Sequence, residues 1–187
     1  MRRVLILGSP GSGKSTLAKR LSTLTGLPVV HLDQLYWRSG WVEPGKEEWL
    51  PELQAALAEP AWIMDGNYGG TLAMRLQHAD TAVFLDFSTR LCLWRAIRRI
   101  LTSWGRDRPD MKSGCPERID FTFLGYIANF RRSKRAGVLK RIESFSGRAF
   151  HFMSPAQVTS WLQGIEPGAL PPSSQGGRTI LDSAGDQ

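Results

Sequence analysis

The chain has 187 residues, 42% hydrophobic and 22% charged, with a formal net charge of +7, a length and apolar content that suit one α/β domain with a proper core and exclude wholesale disorder. No apolar run approaches the roughly 20 residues that span a bilayer, and the opening Met-Arg-Arg-Val-Leu-Ile-Leu breaks at Gly8, too early for a secretion signal. Cys92 and Cys115 have neither zinc-site spacing nor the look of a disulfide framework, so a cytoplasmic protein with no membrane partner is expected.

In chain order, Val4 to Leu7 is a short apolar run that ends at Gly8, and helical composition follows from Lys14. Between them Gly8-Ser9-Pro10-Gly11-Ser12-Gly13-Lys14-Ser15 fits G-x-x-x-x-G-K-[ST] in full, in the strand–loop–helix context that the motif requires. Glycines let the backbone wrap closely enough for successive N–H groups to face phosphate oxygens, and a helix N-terminus adds favourable potential. Gly8 to Ser15 and the adjoining Thr16 are therefore the candidate nucleotide-binding residues. Lys14 is expected to bridge the β- and γ-phosphates of ATP or GTP, and the Ser15 hydroxyl to ligate Mg²⁺.

Further strands are predicted at Pro28 to Asp33, Ala61 to Asp65 and Thr81 to Asp86, each ending on an aspartate. Helices are predicted over Glu47 to Ala58, Gly70 to His78 and Ser88 to Thr102, the last with Ser88 as N-cap. This last helix places Leu91, Trp94, Ile97 and Leu101 on one face and Arg95, Arg98, Arg99 and Thr102 on the other. Glycine and proline then punctuate Ser103 to Pro116, which reads as a long excursion or lid, about residues 103–118. Helices resume around Ile119 to Phe130 and Ala136 to Phe145, and Arg148 to Met153 supplies a fifth strand before a last helix, Pro155 to Leu162. The kinase-like unit is expected to span 1–163, and residues 164–187, rich in proline, glycine and serine, to form a disordered tail. Alternating strands and helices imply a parallel sheet covered on both faces, a three-layer αβα sandwich.

In an open parallel sheet, ligands bind beyond the carboxyl ends of the strands. Asp33 and Asp65 fall at that edge with Lys14. An aspartate there holds Mg²⁺ or accepts a proton from an attacking hydroxyl; Asp86, before Phe87-Ser88, reads rather as a turn or cap residue. From Ser88 to Arg148 there are 15 Lys/Arg against 5 Asp/Glu, leaving 9 against 12 elsewhere. That asymmetry fits phosphates of a small substrate, a nucleic acid backbone or a solvated surface. Arg106 and Arg108, in the excursion, are the candidate arginines that close over a transferring phosphoryl group. Arg131-Arg132-Ser133-Lys134-Arg135 is either part of the same anion cage or an exposed helix end. Tyr36, Trp37, Trp41, Trp49 and Trp62 either stack on a ring of the acceptor or form local core, while the three histidines read as structural.

These motifs together resemble the adenylate-kinase-like P-loop kinases, and more closely the bacterial DNA topology modulation proteins. The likeness covers about residues 1–150 and rests on Gly8 to Thr16, His31-Leu-Asp-Gln-Leu-Tyr-Trp37 with Gly40-Trp-Val42, Asp65-Gly-Asn-Tyr-Gly-Gly70, Leu91-Cys-Leu-Trp-Arg95, Gly105-Arg-Asp-Arg-Pro-Asp-Met111 and Gly114-Cys-Pro-Glu-Arg118. The resemblance implies a five-stranded parallel sheet in the order 2-3-1-4-5, a mobile lid between strands four and five, and a nucleoside- or nucleotide-kinase type of site. Nucleoside monophosphate kinases carry an arginine after the segment similar to Asp65-Gly66 that grips the acceptor phosphate; here Asn67-Tyr68 follows without it, and Arg75, a few residues later on the next helix, is a candidate substitute.

The expected activity is phosphoryl transfer from Mg-ATP to a small acceptor, with Lys14, Asp33, Arg106 and Arg108 as catalytic residues and Ser15 and Asp65 as metal ligands. The alternative is a nucleotide-gated DNA-binding protein with weak ATPase activity, although no base-reading motif is visible. Monomer and homodimer both remain open.

Overall fold

The computed structural model describes residues 1–107 and 109–165. Five strands, β1 (Arg3–Gly8), β2 (Val29–His31), β3 (Trp62–Asp65), β4 (Thr81–Leu85) and β5 (Arg148–Phe152), form one parallel sheet in the order β2-β3-β1-β4-β5. This is the expected architecture. Successive side chains of a strand point to opposite faces, and both faces are apolar. On β1, Val4 and Ile6 join one core with Ile63 and Val83, whereas Leu5 and Leu7 join the other with Met64, Ala82 and Phe84.

Helices α1 (Lys14–Thr25), α5 (Thr89–Thr102) and α8 (Pro155–Gln163) supply Leu17, Leu21, Cys92, Ala96 and Leu162 to the first core. Helices α3 (Lys46–Ala58), α4 (Leu72–His78) and α7 (Arg135–Glu143) supply Trp49, Leu53, Leu57, Leu72, Leu76, Val138 and Ile142 to the second. Helix α6 (Phe121–Ser133) sits between them, with Ile127 in one core and Phe130 in the other. No helix of the described residues is long and apolar enough to cross a membrane.

The second strand is shorter than its apolar run. β2 is an edge strand that pairs only with β3, and its last register partner, His31 against Asp65, is where β3 ends. With nothing left to pair with, the chain turns at once into α2 (Leu32–Tyr36), so Asp33 stands in the first turn of a helix rather than at a strand end.

Helix α5 starts at the Ser88 cap, whose hydroxyl accepts from the Leu91 N–H, but it packs the other way round from its larger apolar residues. Cys92, Ala96 and Ile100 are buried, while Trp94 is 55% and Leu101 68% exposed. A Cβ on Gly11 would collide with the Cys92 carbonyl oxygen, so the loop after β1 packs directly on the α5 backbone at Cys92.

Asp86, just past β4, is buried and is no helix cap. It accepts from Arg135 Nε at 2.7 Å, lies 3.0 Å from His151 Nε2 and has Arg131 Nε at 3.6 Å, which ties the α6–α7 junction to the β4–β5 edge. Burial by itself would raise the carboxyl, yet the His151 and Arg135 hydrogen bonds and the charges of Arg135 and Arg131 hold it below the ordinary carboxylate range. A depressed carboxyl contributes stability that is present above its unfolded value, about pH 3.9, and is lost as pH falls through the lower folded value. Asp86→Asn is expected to cost roughly 1–3 kcal/mol at neutral pH, below the full cost of breaking a buried pair because both arginines are partly solvated. The difference from the parent should shrink below about pH 4. Thermal melts of both proteins across pH check this; a pH-independent difference would contradict the ion-pair account.

Candidate active site

The loop between β1 and α1 is held open by backbone geometry. Gly8 has φ 149° and Gly11 φ 80°, values that L side chains rarely adopt. A Cβ on Gly8 would also approach the Leu85 carbonyl to 2.7 Å. The Gly8 N–H donates to Asn67 Oδ1 at 3.2 Å, which fastens the start of the loop to the segment after β3. Helix α1 begins at Gly13 with no side-chain cap and no acidic residue in its first turn, so its first N–H groups are left for an anion. The Lys14 ammonium folds back over this loop, donating to the carbonyls of Gly8 at 3.0 Å and Ser9 at 3.2 Å. Burial pulls its pKa down, and the charges of Asp65 and Asp33 pull it back up. The Ser12 hydroxyl is buried in the loop with no partner among the described residues.

This loop forms the floor of a cleft of about 1210 Å³. Lys14, Ser15, Thr16, Asp33 and Asp65 all line it, so residues from three separate stretches of chain converge there. Asp65, 4% exposed at the end of β3, has His31 Nδ1 at 2.8 Å from its Oδ1. Asp33 Oδ1 accepts from the Tyr68 hydroxyl at 2.7 Å. Burial, followed by the Asp33 charge, pushes the Tyr68 phenol up, so it remains a donor. Tyr126 also lines the cleft.

Arg75 does not take the place suggested for it at an acceptor phosphate. It is fully buried, and its guanidinium donates to the carbonyls of Gly66 at 3.0 Å, Asn67 at 2.5 Å and Tyr68 at 2.9 Å and to Thr71 Oγ1 at 3.2 Å. Burial lowers its pKa to about 9, still above neutrality. Its work is to hold the Gly66–Tyr68 turn, where Tyr68 has φ 22°. Arg75→Met is expected to destabilise the protein by about 3–5 kcal/mol, because three carbonyls lose a charged donor in a dry site. Denaturant unfolding measures it, and a loss below about 1 kcal/mol would show that the turn holds itself.

Arg106 is exposed and is not among the lining residues, and Arg108 lies outside the described residues. Arg95 and Arg99 of α5 line the cleft instead, with Arg118. Arg95 Nη1 lies 3.4 Å from the Ser12 carbonyl, and Arg99 pairs with Glu117 at 3.2 Å. Of the basic run at the end of α6, Lys134 lines the cleft, whereas Arg131 and Arg135 hold Asp86. Tyr36, Trp37 and Trp41 line the cleft; Trp49 and Trp62 are buried core.

The excursion rests on α2 and the chain that follows it. Gln34 Nε2 donates to the Pro109 carbonyl, the Gly40 N–H to the Gly114 carbonyl at 2.7 Å and Trp41 Nε1 to the Pro116 carbonyl at 3.1 Å. The Arg118 guanidinium stacks over the Trp41 ring, 5.2 Å from its centroid.

Asn67, Tyr68, Arg95 and Arg99 belong to the cleft and were not singled out as site residues from sequence. For Asn67 and Tyr68 the signal was present, since they directly follow the Asp65-Gly66 pair at the strand's carboxyl end.

No protein-family model matches the chain. An adenylate kinase of Clavibacter michiganensis subsp. michiganensis (strain NCPPB 382) is 28% identical over 110 residues, 57% of this chain and 54% of that protein. The chain thus spans about half the length of the curated relative it matches. Among solved structures, a shikimate kinase from Bacteroides thetaiotaomicron superposes with TM-score 0.54 at 17% identity, over 87% of this chain and 94% of that one. A deoxyadenosine kinase from M. mycoides with bound dATP gives TM-score 0.52 at 13% identity, over 86% and 96%. The fold is that of the P-loop kinases.

Proposed function

We propose that the protein is a kinase that moves the γ-phosphoryl group of Mg-ATP onto a small acceptor. The observation that carries this reading is the convergence, in one cleft, of the Lys14 loop with Asp33 from the first turn of α2 and Asp65 from the end of β3. The loop residues Gly8 to Thr16 would hold the triphosphate, with the uncapped first turn of α1 and Lys14 as its donors.

The residues present fit Mg²⁺: the Ser15 hydroxyl and the Asp65 carboxylate are hard oxygen donors lining the same cleft. When bound, the ion would neutralise phosphate charge during transfer. His31 fixes one Asp65 oxygen and so orients the other. Asp33, fixed in turn by Tyr68, orients the acceptor hydroxyl and takes its proton. Arg95, Arg99 and Arg118 supply positive charge where the transferring group would pass. A closing role for Arg106 would require the excursion to swing inward.

The test is transfer of label from γ-labelled ATP with Mg²⁺ across nucleosides, nucleoside monophosphates and small polyols. Label appearing in one acceptor class is the expected result. Slow phosphate release that no acceptor accelerates would overturn the proposal in favour of a nucleotide-gated binding protein.

A further inference from the structure

The acceptor side of the cleft is built from residues 33–43 and 65–72, and its chemistry narrows what it can hold. Of the arginines in and beside these stretches, Arg38 is bound to Glu52 at 2.6 Å and to the Leu35 carbonyl at 2.8 Å, and Arg75 is buried on three carbonyls. Neither lines the cleft. The charged groups that this wall presents are the carboxylates of Asp33, Glu43 and Asp65. Arg118 reaches it from the excursion, with its guanidinium laid on the Trp41 ring.

The rest of the wall is aromatic. Tyr36, Trp37, Trp41 and Tyr68 are each half-buried, in a chain of contacts: Tyr68–Tyr36 at 4.7 Å, Tyr36–Trp37 at 5.3 Å and Trp37–Trp41 at 5.4 Å. All four line the cleft together with Asp33. The Tyr36 hydroxyl bonds Glu43 at 3.2 Å, which steadies the ring at the rim. Half-buried rings held by one another offer a flat ligand a stacking surface at little entropic cost.

From this wall we infer that the acceptor is an uncharged, hydroxyl-bearing compound with a flat ring, of the nucleoside class, and not a nucleoside monophosphate. The inference rests on the kinase reading for its chemistry, although the ligand class follows from the wall itself. The ring lies among Tyr36, Trp37 and Trp41, and the hydroxyl meets Asp33. Its oxygen bonds to the γ-phosphorus of ATP as the bond from that phosphorus to the β–γ bridging oxygen breaks. The hydroxyl proton passes to the Asp33 carboxylate, and ADP leaves with the electron pair of the broken bond. A phosphomonoester on the same wall would place its negative charge against the Asp33 and Glu43 carboxylates, and like charges in a site select against that ligand.

The experiment uses the full chain with Mg-ATP, pairing calorimetric binding with label transfer for adenosine, guanosine, cytidine and thymidine, their 5′-monophosphates and a ringless polyol. At least one nucleoside should bind and accept label with kcat/KM about tenfold or more above its monophosphate. Trp37→Leu should weaken nucleoside binding about tenfold, with Trp37→Phe restoring most of it, as stacking on any aromatic face predicts. Preference for a monophosphate, lost in Arg118→Ala, would overturn the inference and leave the kinase standing. Preference for the polyol, or no binding by any nucleoside, overturns it as well. Nucleoside binding without label transfer supports the ligand class while counting against the kinase. The comparison of ligands on the unaltered protein decides the matter even where a tryptophan variant fails to fold.

Discussion

Lys14→Ala is expected to reduce Mg-ATP-dependent phosphoryl transfer by about a thousandfold or more while leaving the protein folded. The loss follows from what the ammonium does in the cleft: it is the cation rooted in the loop itself, placed between the loop carbonyls and the charges of Asp65 and Asp33. Phosphoryl transfer leaves the protein little to do except position groups and balance charge, so removing a charge from the phosphate cradle falls on the rate. Stability should change little, because among the described residues Lys14 Nζ hydrogen-bonds only the carbonyls of Gly8 and Ser9, and Ala keeps the first turn of α1 in a residue of high helix propensity. Label transfer and a thermal melt on the same preparation test both halves. A folded variant with full turnover would remove Lys14 from the mechanism and the kinase proposal with it.

Asp33→Asn is expected to lower kcat by about a hundredfold to ten-thousandfold, with ATP binding retained. The side-chain oxygen that accepts from Tyr68 persists in Asn, so the local bond at 2.7 Å survives. What disappears is the ability to take a proton and the charge that aligns the acceptor hydroxyl. Nucleotide binding by calorimetry and single-turnover transfer separate these effects. Equal losses in ATP binding and in rate would mean that Asp33 holds the nucleotide rather than the acceptor. Tyr68→Phe, which keeps the carboxylate but frees its orientation, should cost less than Asp33→Asn, and a larger cost would place the phenol itself in contact with substrate.

Much of the fold was legible because its signals are local. Apolar runs of four or five residues closed by aspartate or glycine mark buried parallel strands, and β1, β3 and β4 lie where those runs predict. Ser88 and Ser154 cap α5 and α8 as short polar residues before apolar periodicity should. Helix α5 misleads because size and burial part company there: Cys92, Ala96 and Ile100 are buried where the loop at Gly11 packs on the helix backbone, while the larger Trp94 stays exposed. No periodicity reports that a neighbouring loop comes so close.

Arg75 shows a second limit. Its spacing after Asp65 suits a ligand arginine as well as a structural one, and only the path of the Gly66–Tyr68 carbonyls decides between them. Arg106 and Arg95 show a third, since both lie in arginine-rich sequence, yet only Arg95 belongs to the helix that packs against the loop.

The sequence by itself determined the loop from Gly8 to Ser15, because a phosphate cradle is written in consecutive residues whose backbone freedom and helix start are properties of those residues alone. It determined the alternating α/β order for the same reason. Tertiary structure decided which carboxylates, cations and rings share the cleft. Those groupings join Tyr68 to Asp33, His31 to Asp65 and Arg95 to Ser12 across 35, 34 and 83 residues. Such distances are closed by the packing of whole helices on the sheet, a sum over many weak contacts that no short stretch of chain carries.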